Sequence, residues 1–336
     1  MLIRPPEPED NEELIQLDRV APEEGLVSYY VDRRPRYIRQ PQVEGFFPYI
    51  AEEDGKIVGV IFSSIDELYV NGEPKACDYV SSLRVHPEYR RRGIGGALID
   101  HAVERGSEEG AELFWAVIMG KNLASSRTFT KCGFNRVGGH GFKVLISKGR
   151  RRFSDALLRE ATEEDFDDMA TLFSSFYENH NFRPKDTRKW LRNRCMIKGT
   201  SLGEVYVAER DGRVIATVRA ARQWKTTKMV ITKLPLSMRL LNPLLRLGIE
   251  EGSLLKMLDI GALSYSRGEE MAATDLINFA RRRFREECRI GFVQYTRGGE
   301  EEKFMAKAKG FPGYSDVVAM SPGQELGELD PIFPSR

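Results

Sequence analysis

The sequence predicts an α/β fold that is built twice along one chain of 336 residues. A β-branched apolar run at 80–85 ends at Pro87, and a glycine-rich loop and a helical pattern of apolar residues follow it. A second, more continuous apolar run at 113–118 suits a strand that is buried on both faces of a sheet. The pattern of the first 60 residues then returns beyond residue 156, which predicts a second copy of the same domain.

The repeat consists of a short strand, an acidic helix start and a hairpin around an Asp-Gly turn. The turn is Asp54-Gly55 in the first copy and Asp211-Gly212 in the second. A weaker alternative is that unrelated α/β domains often begin with the same strand, helix and hairpin. Three segment pairs match in the same order: 2–10 with 157–165, 49–60 with 206–217, and 132–134 with 309–311.

These matches predict two domains, residues 1–148 and 155–322, joined by a charged linker at 148–154. The second domain carries a predicted helical insert around 224–257. This insert either covers a cleft as a lid, forms the face of a homodimer, or fills core.

Composition excludes several classes of protein. The chain has 51 Lys and Arg against 50 Asp and Glu, so its net charge of +1 predicts no general attraction to nucleic acid or to a membrane. Its four cysteines are scattered, which indicates neither a disulfide framework nor a metal site. The apolar stretch at 234–258 is interrupted by Arg239 and Glu250 and is too broken to span a bilayer. We therefore expect a cytoplasmic protein.

The loop with Gly93, Gly95 and Gly96 opens a predicted helix, and three arginines at 90–92 precede it. The first amides of a helix lack intrahelical partners and favour an anion, so this segment predicts a cradle for a pyrophosphate. It is not a P-loop, because no Lys-Ser/Thr pair follows, and Leu98 stands where a dinucleotide motif needs its third glycine. The alternative is a loop that only tightens a turn between strand and helix.

The segment from Arg90 to Gly95 fits the pattern Arg/Gln-x-x-Gly-x-Gly/Ala and closely resembles the coenzyme A signature of the GNAT N-acetyltransferases. Residues 122–134 are similar to a second motif of that family, with Asn122 and Gly133-Phe134 in register. The resemblance implies a mixed sheet in which two parallel strands splay apart, here 78–85 and 113–118. Acetyl-CoA would lie between them, its pantetheine pairing with the freed strand edge.

The resemblance implies backbone contacts from the splayed strand to the pantetheine, and amide and arginine contacts from the loop to the phosphates. Asn122 would bind the pantetheine arm. Phe129 departs from the pattern, because the family commonly has there a tyrosine that protonates the leaving thiolate. The implied coenzyme-binding residues are Leu83, Val85, Arg90, Arg91, Arg92, Gly93, Ile94, Gly95, Gly96, Ala97, Asn122 and Phe129.

The reaction implied by the resemblance is direct attack by a primary amine of a small molecule, amino acid or peptide on the acetyl carbonyl. Asp78, at the start of the splayed strand, lies where many members keep an acidic base, and Glu52 is a second candidate. The alternative for each is an ordinary surface carboxylate. His86 belongs to a turn before the loop and has no expected catalytic task.

The second copy keeps only Gly268 before its helix, and Glu269 and Glu270 would repel a pyrophosphate there. It resembles the degenerate half of tandem proteins of this family, so a single coenzyme site is expected. The alternative function is a non-catalytic sensor or regulatory protein that binds acyl-CoA. A third hypothesis is a nucleic-acid factor that uses the arginines at 150–152 and 281–285.

Overall fold

The computed structural model describes residues 1–25, 27–38, 45–146, 154–195, 204–245 and 247–334. The predicted linker up to residue 153, with its three arginines at 150–152, lies outside these residues, as does the predicted boundary at 148.

The first half alternates strands and helices as the sequence predicts, with a hairpin at Asp54-Gly55. Its elements, in chain order, are β1 (Leu2–Arg4), α1 (Asn11–Val20), β2 (Ser28–Asp32), β3 (Phe46–Glu53), β4 (Lys56–Val70), β5 (Glu73–Val85), α2 (Ile94–Glu108), β6 (Leu113–Met119), α3 (Leu123–Lys131) and β7 (Asn135–Leu145).

The second half repeats this order of elements. It adds two helices and a strand at 223–245, before its fourth main strand. Its elements are β8 (Leu157–Glu160), α4 (Phe166–Phe176), β9 (Arg183–Pro184), α5 (Thr187–Cys195), β10 (Val205–Arg210), β11 (Arg213–Arg222), α6 (Gln223–Thr226), β12 (Lys228–Lys233), α7 (Leu236–Leu245), β13 (Met257–Tyr265), α8 (Glu270–Arg283), β14 (Ile290–Thr296), α9 (Glu300–Lys307) and β15 (Gly310–Met320).

All main strands of both halves join one mixed, 13-stranded sheet, as the predicted fold class requires. Its order is β1-β3-β4-β5-β6-β15-β7-β14-β13-β11-β10-β8, with β9 attached to β4. The two halves exchange their last strands. β15, from the second half, lies between β6 and β7, and β7, from the first half, lies between β15 and β14.

This exchange means that the segments predicted as two domains share one sheet. One cluster packs α2 on the first half, with Leu98, Phe114 and Phe129 among its members, and it also includes Val318 of β15. A second cluster packs α8 on the second half and includes Leu145 of β7. The division at 1–148 and 155–322 stays a prediction, and each of those segments buries a strand of the other.

The internal repeat extends to matching ion pairs. Arg4 of β1 binds Asp10 at 2.7 Å and Glu52 of β3 at 2.9 Å. In the second half Arg159 of β8 binds Asp165 and Glu209 of β10, both at 2.7 Å. In each half the arginine therefore fastens the edge strand to the next strand and to the start of the first helix.

The interval predicted as a helical insert contains a strand as well. Residues Met229 and Ile231 of β12 are buried, while Lys228 is exposed and Val230 and Thr232 are half-buried, an alternation that suits a strand. β12 pairs with β2 of the first half in a separate two-stranded sheet. The insert is therefore mixed in secondary structure and contacts the first half.

No helix among the described residues is long and apolar enough to cross a membrane.

Candidate active site

The strands β5 and β6 form a cleft in the first half because they pair over only part of their length. Their parallel pairing covers three residue pairs, from Cys77 with Leu113 to Tyr79 with Trp115. β5 continues to Val85 beside β4, but its other edge has no paired strand beyond Tyr79 in the described sheet. Ser82, with φ of 54°, lies where the register between β4 and β5 shifts, a bulge that bends β5 at the cleft.

The free edge of β5 presents backbone groups to this cleft. The N–H of His86 donates to the carbonyl of Val58 on β4 at 2.8 Å. Since alternate residues of an antiparallel strand bond to the same neighbour, Leu83 and Val85 direct their N–H and C=O groups away from β4. The Arg90 guanidinium already donates to the Val85 carbonyl at 3.3 Å. The cleft therefore has a free strand edge at Leu83 and Val85, and their pairing with a pantetheine stays a prediction.

The glycine-rich loop lies at the N-terminus of α2, next to the end of β5. Gly93 has φ of 86°, a left-handed conformation that glycine adopts without strain. The first helical hydrogen bond runs from Ala97 N–H to the Gly93 carbonyl at 3.0 Å, so the amides of Ile94, Gly95 and Gly96 precede the helical ladder. Such amides at a helix N-terminus form an anion-binding site.

The three arginines before the loop are exposed. Arg92 lies over the Tyr89 ring, with its guanidinium carbon 4.8 Å from the ring centre. Arg91 has φ of 65°, which turns the chain sharply just before Gly93. Three exposed, positively charged side chains thus immediately precede the loop amides in the chain, and their contact with phosphates stays a prediction.

Gly95 and Gly96 leave room on the face of α2 that meets α3. A Cβ on Gly95 would lie 3.5 Å from Thr128, 3.7 Å from Val85 and 3.8 Å from Leu83. A Cβ on Gly96 would lie 3.7 Å from the sulfur of Cys132. Gly95 therefore faces the space between β5 and α3, and any side chain larger than alanine would project into it.

Two predicted coenzyme residues on α3 have roles within the fold. The Asn122 side chain caps α3, because its Oδ1 accepts the Ser125 N–H at 3.1 Å. Phe129 is 4% exposed and packs edge-to-face on Phe134, with ring centres 5.0 Å apart. Phe129, at the position where the resemblance expects a tyrosine, is therefore a core residue. Its ring has no hydroxyl that could donate a proton.

Asp78 is fully buried beneath the last turn of α2. Its carboxylate accepts the Ser63 hydroxyl at 2.6 Å, and a Cβ on Gly106 would lie 2.4 Å from its Oδ2. Burial raises its pKa to about 6, against the lowering effect of the hydrogen bonds from Ser63 and Ser64. Gly106 is twelve residues beyond Ile94, so this carboxylate lies about 18 Å along α2 from the loop.

Glu52 is held in the ion pair with Arg4 that fastens β1 to β3. Glu209 makes the same contact with Arg159 in the second half, which lacks the glycine-rich loop. The repeat of this contact indicates a structural use of Glu52. For Asp78 and Glu52 alike, the role of base stays a prediction.

Sequence reasoning missed a charged network behind β5. Asp18 of α1 is 1% exposed and binds Arg33 at 3.0 Å and Arg84 of β5 at 3.3 Å. Arg84 also binds Glu23 at 2.6 Å, and the Tyr37 hydroxyl donates to Asp18 at 3.1 Å. Arg84 lies between Leu83 and Val85, but its partners are more than 60 residues away, so no local pattern reveals them.

The second half has a similar divergence of strands without the loop. β13 and β14 pair only from Met257 with Ile290 to Ile260 with Val293. A short turn through Gly268 then leads into α8, and Glu269 beside it forms an ion pair with Arg210. Residues Glu269 and Glu270 thus put acidic side chains at the helix start. Loss of coenzyme binding in this half stays a prediction.

Comparisons with known proteins agree on the fold. Residues 11–134 match the sequence model of the acetyltransferase (GNAT) family. The ribosomal protein bS18-alanine N-acetyltransferase of Escherichia coli K12 is 30% identical over 54 residues, which is 16% of this chain and 36% of that enzyme. The chain thus spans about a third of the length of the curated relatives that it matches.

Two solved structures resemble nearly the whole chain. A GCN5-related N-acetyltransferase from Sphaerobacter thermophilus is 13% identical at a TM-score of 0.60, covering 97% of this chain and 98% of that one. The N-myristoyltransferase of Saccharomyces cerevisiae with bound myristoyl-CoA is 11% identical at a TM-score of 0.63, covering 95% of this chain and 78% of that one. At this identity the likeness concerns the fold.

Proposed function

We propose that the protein transfers an acetyl group from acetyl-CoA to a primary amine of a small molecule, amino acid or peptide. The match of residues 11–134 to the sequence model of the GNAT acetyltransferase family supports this proposal. The observation that carries the proposal is the divergence of β5 from β6 beside a glycine-rich helix start. A strand edge and an anion site then lie next to each other, as a pantetheine diphosphate requires.

Each part of the site has a defined task in this proposal. The amides of Ile94, Gly95 and Gly96 and the arginines at 90–92 hold the diphosphate. The freed backbone of Leu83 and Val85 binds the pantetheine amides and supplies an N–H toward the thioester oxygen, where negative charge develops. A pantetheine N–H on the Val85 carbonyl competes with Arg90, which then becomes available for a phosphate.

The proposed reaction needs one proton removed from the amine and one delivered to the leaving thiolate. Phe129 supplies no acid for the leaving thiolate, but a thiol with a pKa near 8.5 leaves without such help at a cost of roughly 10²–10⁴-fold in rate. Asp78 remains the candidate base whose pKa of about 6 suits proton uptake near neutral pH. Its enclosure beneath α2 requires a relay through Ser63 or water.

A second candidate function is a sensor that binds acyl-CoA without turnover. The buried phenylalanine at the tyrosine position and the ion-paired Glu52 favour it. Both candidates need the same coenzyme site. They differ in whether any amine causes release of free thiol.

The first test is calorimetric titration of the full chain with acetyl-CoA, compared with Gly95→Glu. We expect one site per chain with affinity near micromolar, about −8 kcal/mol. Glutamate at position 95 fills the space between β5 and α3 and repels the phosphates, so affinity should fall by about a hundredfold or more. Gly327→Glu is the matched control, because nothing lies within 4 Å of a Cβ there.

Three outcomes decide between the hypotheses. Loss of binding in the variant at position 95 but not in its control supports the site, and thiol release with a panel of amines then separates enzyme from sensor. Two sites per chain would show that the second half also binds coenzyme. If the unmodified chain does not bind acetyl-CoA, both the enzyme hypothesis and the sensor hypothesis are wrong.

A further inference from the structure

Helix α7 carries a ridge of exposed leucines on its outer face. Leu236, Leu240 and Leu244 are 72%, 68% and 77% exposed, and their spacing of four residues places them in one row. The inner face of the same helix is anchored, since Met238 is 4% exposed within an apolar cluster that also contains Ile231 of β12. The ridge is therefore a feature of a packed helix.

The sequence before the ridge is basic: no Asp or Glu lies between Asp211 and Glu250, and eight Lys and Arg do. Arg219, Arg222 and Arg239 of these are ion-paired with Asp259, Glu204 and Glu251. Lys225, Lys228 and Lys233 are exposed on the elements that lead into α7. Arg239, between the first two leucines, is exposed and pairs with Glu251 at 2.7 Å. Three exposed lysines that form no ion pair with an acid among the described residues thus precede the apolar row in the chain.

The size and charge of this face argue against a second copy of the chain as its occupant. α7 has ten residues and is about 15 Å long. A stable dimer needs about 800 Å² from each partner, which one short helix cannot supply. A second copy would also bring the same excess of cations, and like charges repel.

We propose that α7 docks on an anionic lipid surface. The three leucines enter the boundary between headgroups and acyl chains, and the exposed lysines at 225, 228 and 233 attract the lipid phosphates. The net charge of +1 for the whole chain does not oppose this, because screening limits each charge to about 10 Å at 0.1 M salt and the local charge decides.

Docking through α7 would bring the first half to the same surface. β12 leads into α7 and pairs with β2, register Val230 with Tyr30. The backbone of Glu23 forms an isolated β-bridge with Tyr29 of β2, and the Glu23 side chain binds Arg84 of β5 at 2.6 Å. The leucine ridge is thus connected through β12 and β2 to the strand that forms one wall of the cleft.

The test is sedimentation of the full chain with vesicles of phosphatidylcholine alone and with added phosphatidylglycerol. We expect binding to the anionic vesicles, weakened by salt. The triple variant Leu236→Gln, Leu240→Gln, Leu244→Gln should reduce the bound fraction about tenfold or more, since it removes the inserted apolar groups. Lys225→Glu with Lys228→Glu and Lys233→Glu should weaken binding to anionic vesicles as well.

The matched control is Leu157→Gln, a 55% exposed leucine on β8, away from the ridge. It should bind vesicles like the unmodified chain, and all variants should keep their thermal unfolding midpoint because the changed side chains are exposed. Equal binding of the triple variant, or absence of vesicle binding by the unmodified chain, would overturn the proposal. A dimer that the triple variant converts to a monomer, without vesicle binding, would identify a second copy as the occupant.

Discussion

The side-chain carboxyl group of Asp78 is fully buried. Within the described residues its Oδ1 is buried without a hydrogen-bond partner, while Oδ2 accepts the hydroxyl of Ser63. Burial penalises the charged form and raises the pKa of Asp78 from 3.8 to about 6. The native state therefore binds a proton more tightly than the unfolded chain does. The contribution of Asp78 to stability therefore falls as the pH rises from about 4 to about 6, and it stays lower above that interval.

Asp78→Asn should remove this pH dependence. At pH 7 the variant keeps an acceptor for Ser63 without a buried charge, so its free energy of unfolding should rise, by about 3 kcal/mol at most. Urea unfolding between pH 4 and pH 8 measures the difference, with the exposed Asp167→Asn as control. A variant that is less stable than the unmodified chain at pH 7 would contradict the raised pKa. A loss of thiol release without loss of stability would support the role of base.

At the scale of elements, the end of β5 is held from behind by buried charges. Asp18 on α1 binds Arg33 and Arg84, and the Arg84 side chain is only 11% exposed. Burial acts to lower the pKa of Arg84, but the neighbouring carboxylates of Glu23 and Asp18 raise it overall, so Arg84 stays charged. The network therefore connects α1, the segment before β3 and the strand that carries Leu83 and Val85.

Asp18→Asn should destabilise the protein by about 3 kcal/mol, because removing one partner leaves two arginines poorly compensated in a buried place. The exposed pair of Asp167 with Arg188 is the matched comparison, and Asp167→Asn should cost less than about 1 kcal/mol. Denaturant unfolding at neutral pH measures both. Equal costs for the two variants would mean that the network contributes little to holding β5.

At the scale of the whole molecule, the exchange of β7 and β15 makes the halves depend on each other. β15 covers the edge of β6 through six residue pairs, from Ser315 with Met119 to Met320 with Phe114. Val317, Ala319, Leu329 and Ile332 also complete an apolar cluster around Trp115. The same dependence holds for β14, which pairs with β7.

The segment 1–148 expressed alone should fail to show a cooperative unfolding transition. It would expose the edge of β6 and the apolar face around Trp115, so we expect aggregation. Adding the segment 155–336 supplies β15 and should restore a single transition, followed by circular dichroism during heating. A cooperative transition of 1–148 alone would establish it as an autonomous domain and show that the shared strands are dispensable.

The sequence by itself determined the features that depend on neighbours in the chain. The strand, glycine loop and helix at 80–99, the two Asp-Gly hairpins and the repeated order of elements follow from local spacing and turn chemistry. The mixed α/β fold and the resemblance to the GNAT family, read from such motifs, are confirmed. The helical insert was predicted incompletely, because a short amphipathic strand such as β12 gains its pairing only from β2.

Only the tertiary structure decided which distant groups meet. Strand exchange, the enclosure of Asp78 under Gly106, and the ion pair of Glu52 with Arg4 48 residues away have no signature in local pattern. Phe129 was identified as a departure from its motif, but its burial against Phe134 became visible only in the packed core. The physical reason is that local propensity acts over a few residues, whereas burial, pKa and charge pairing depend on contacts between segments that the chain brings together from far apart.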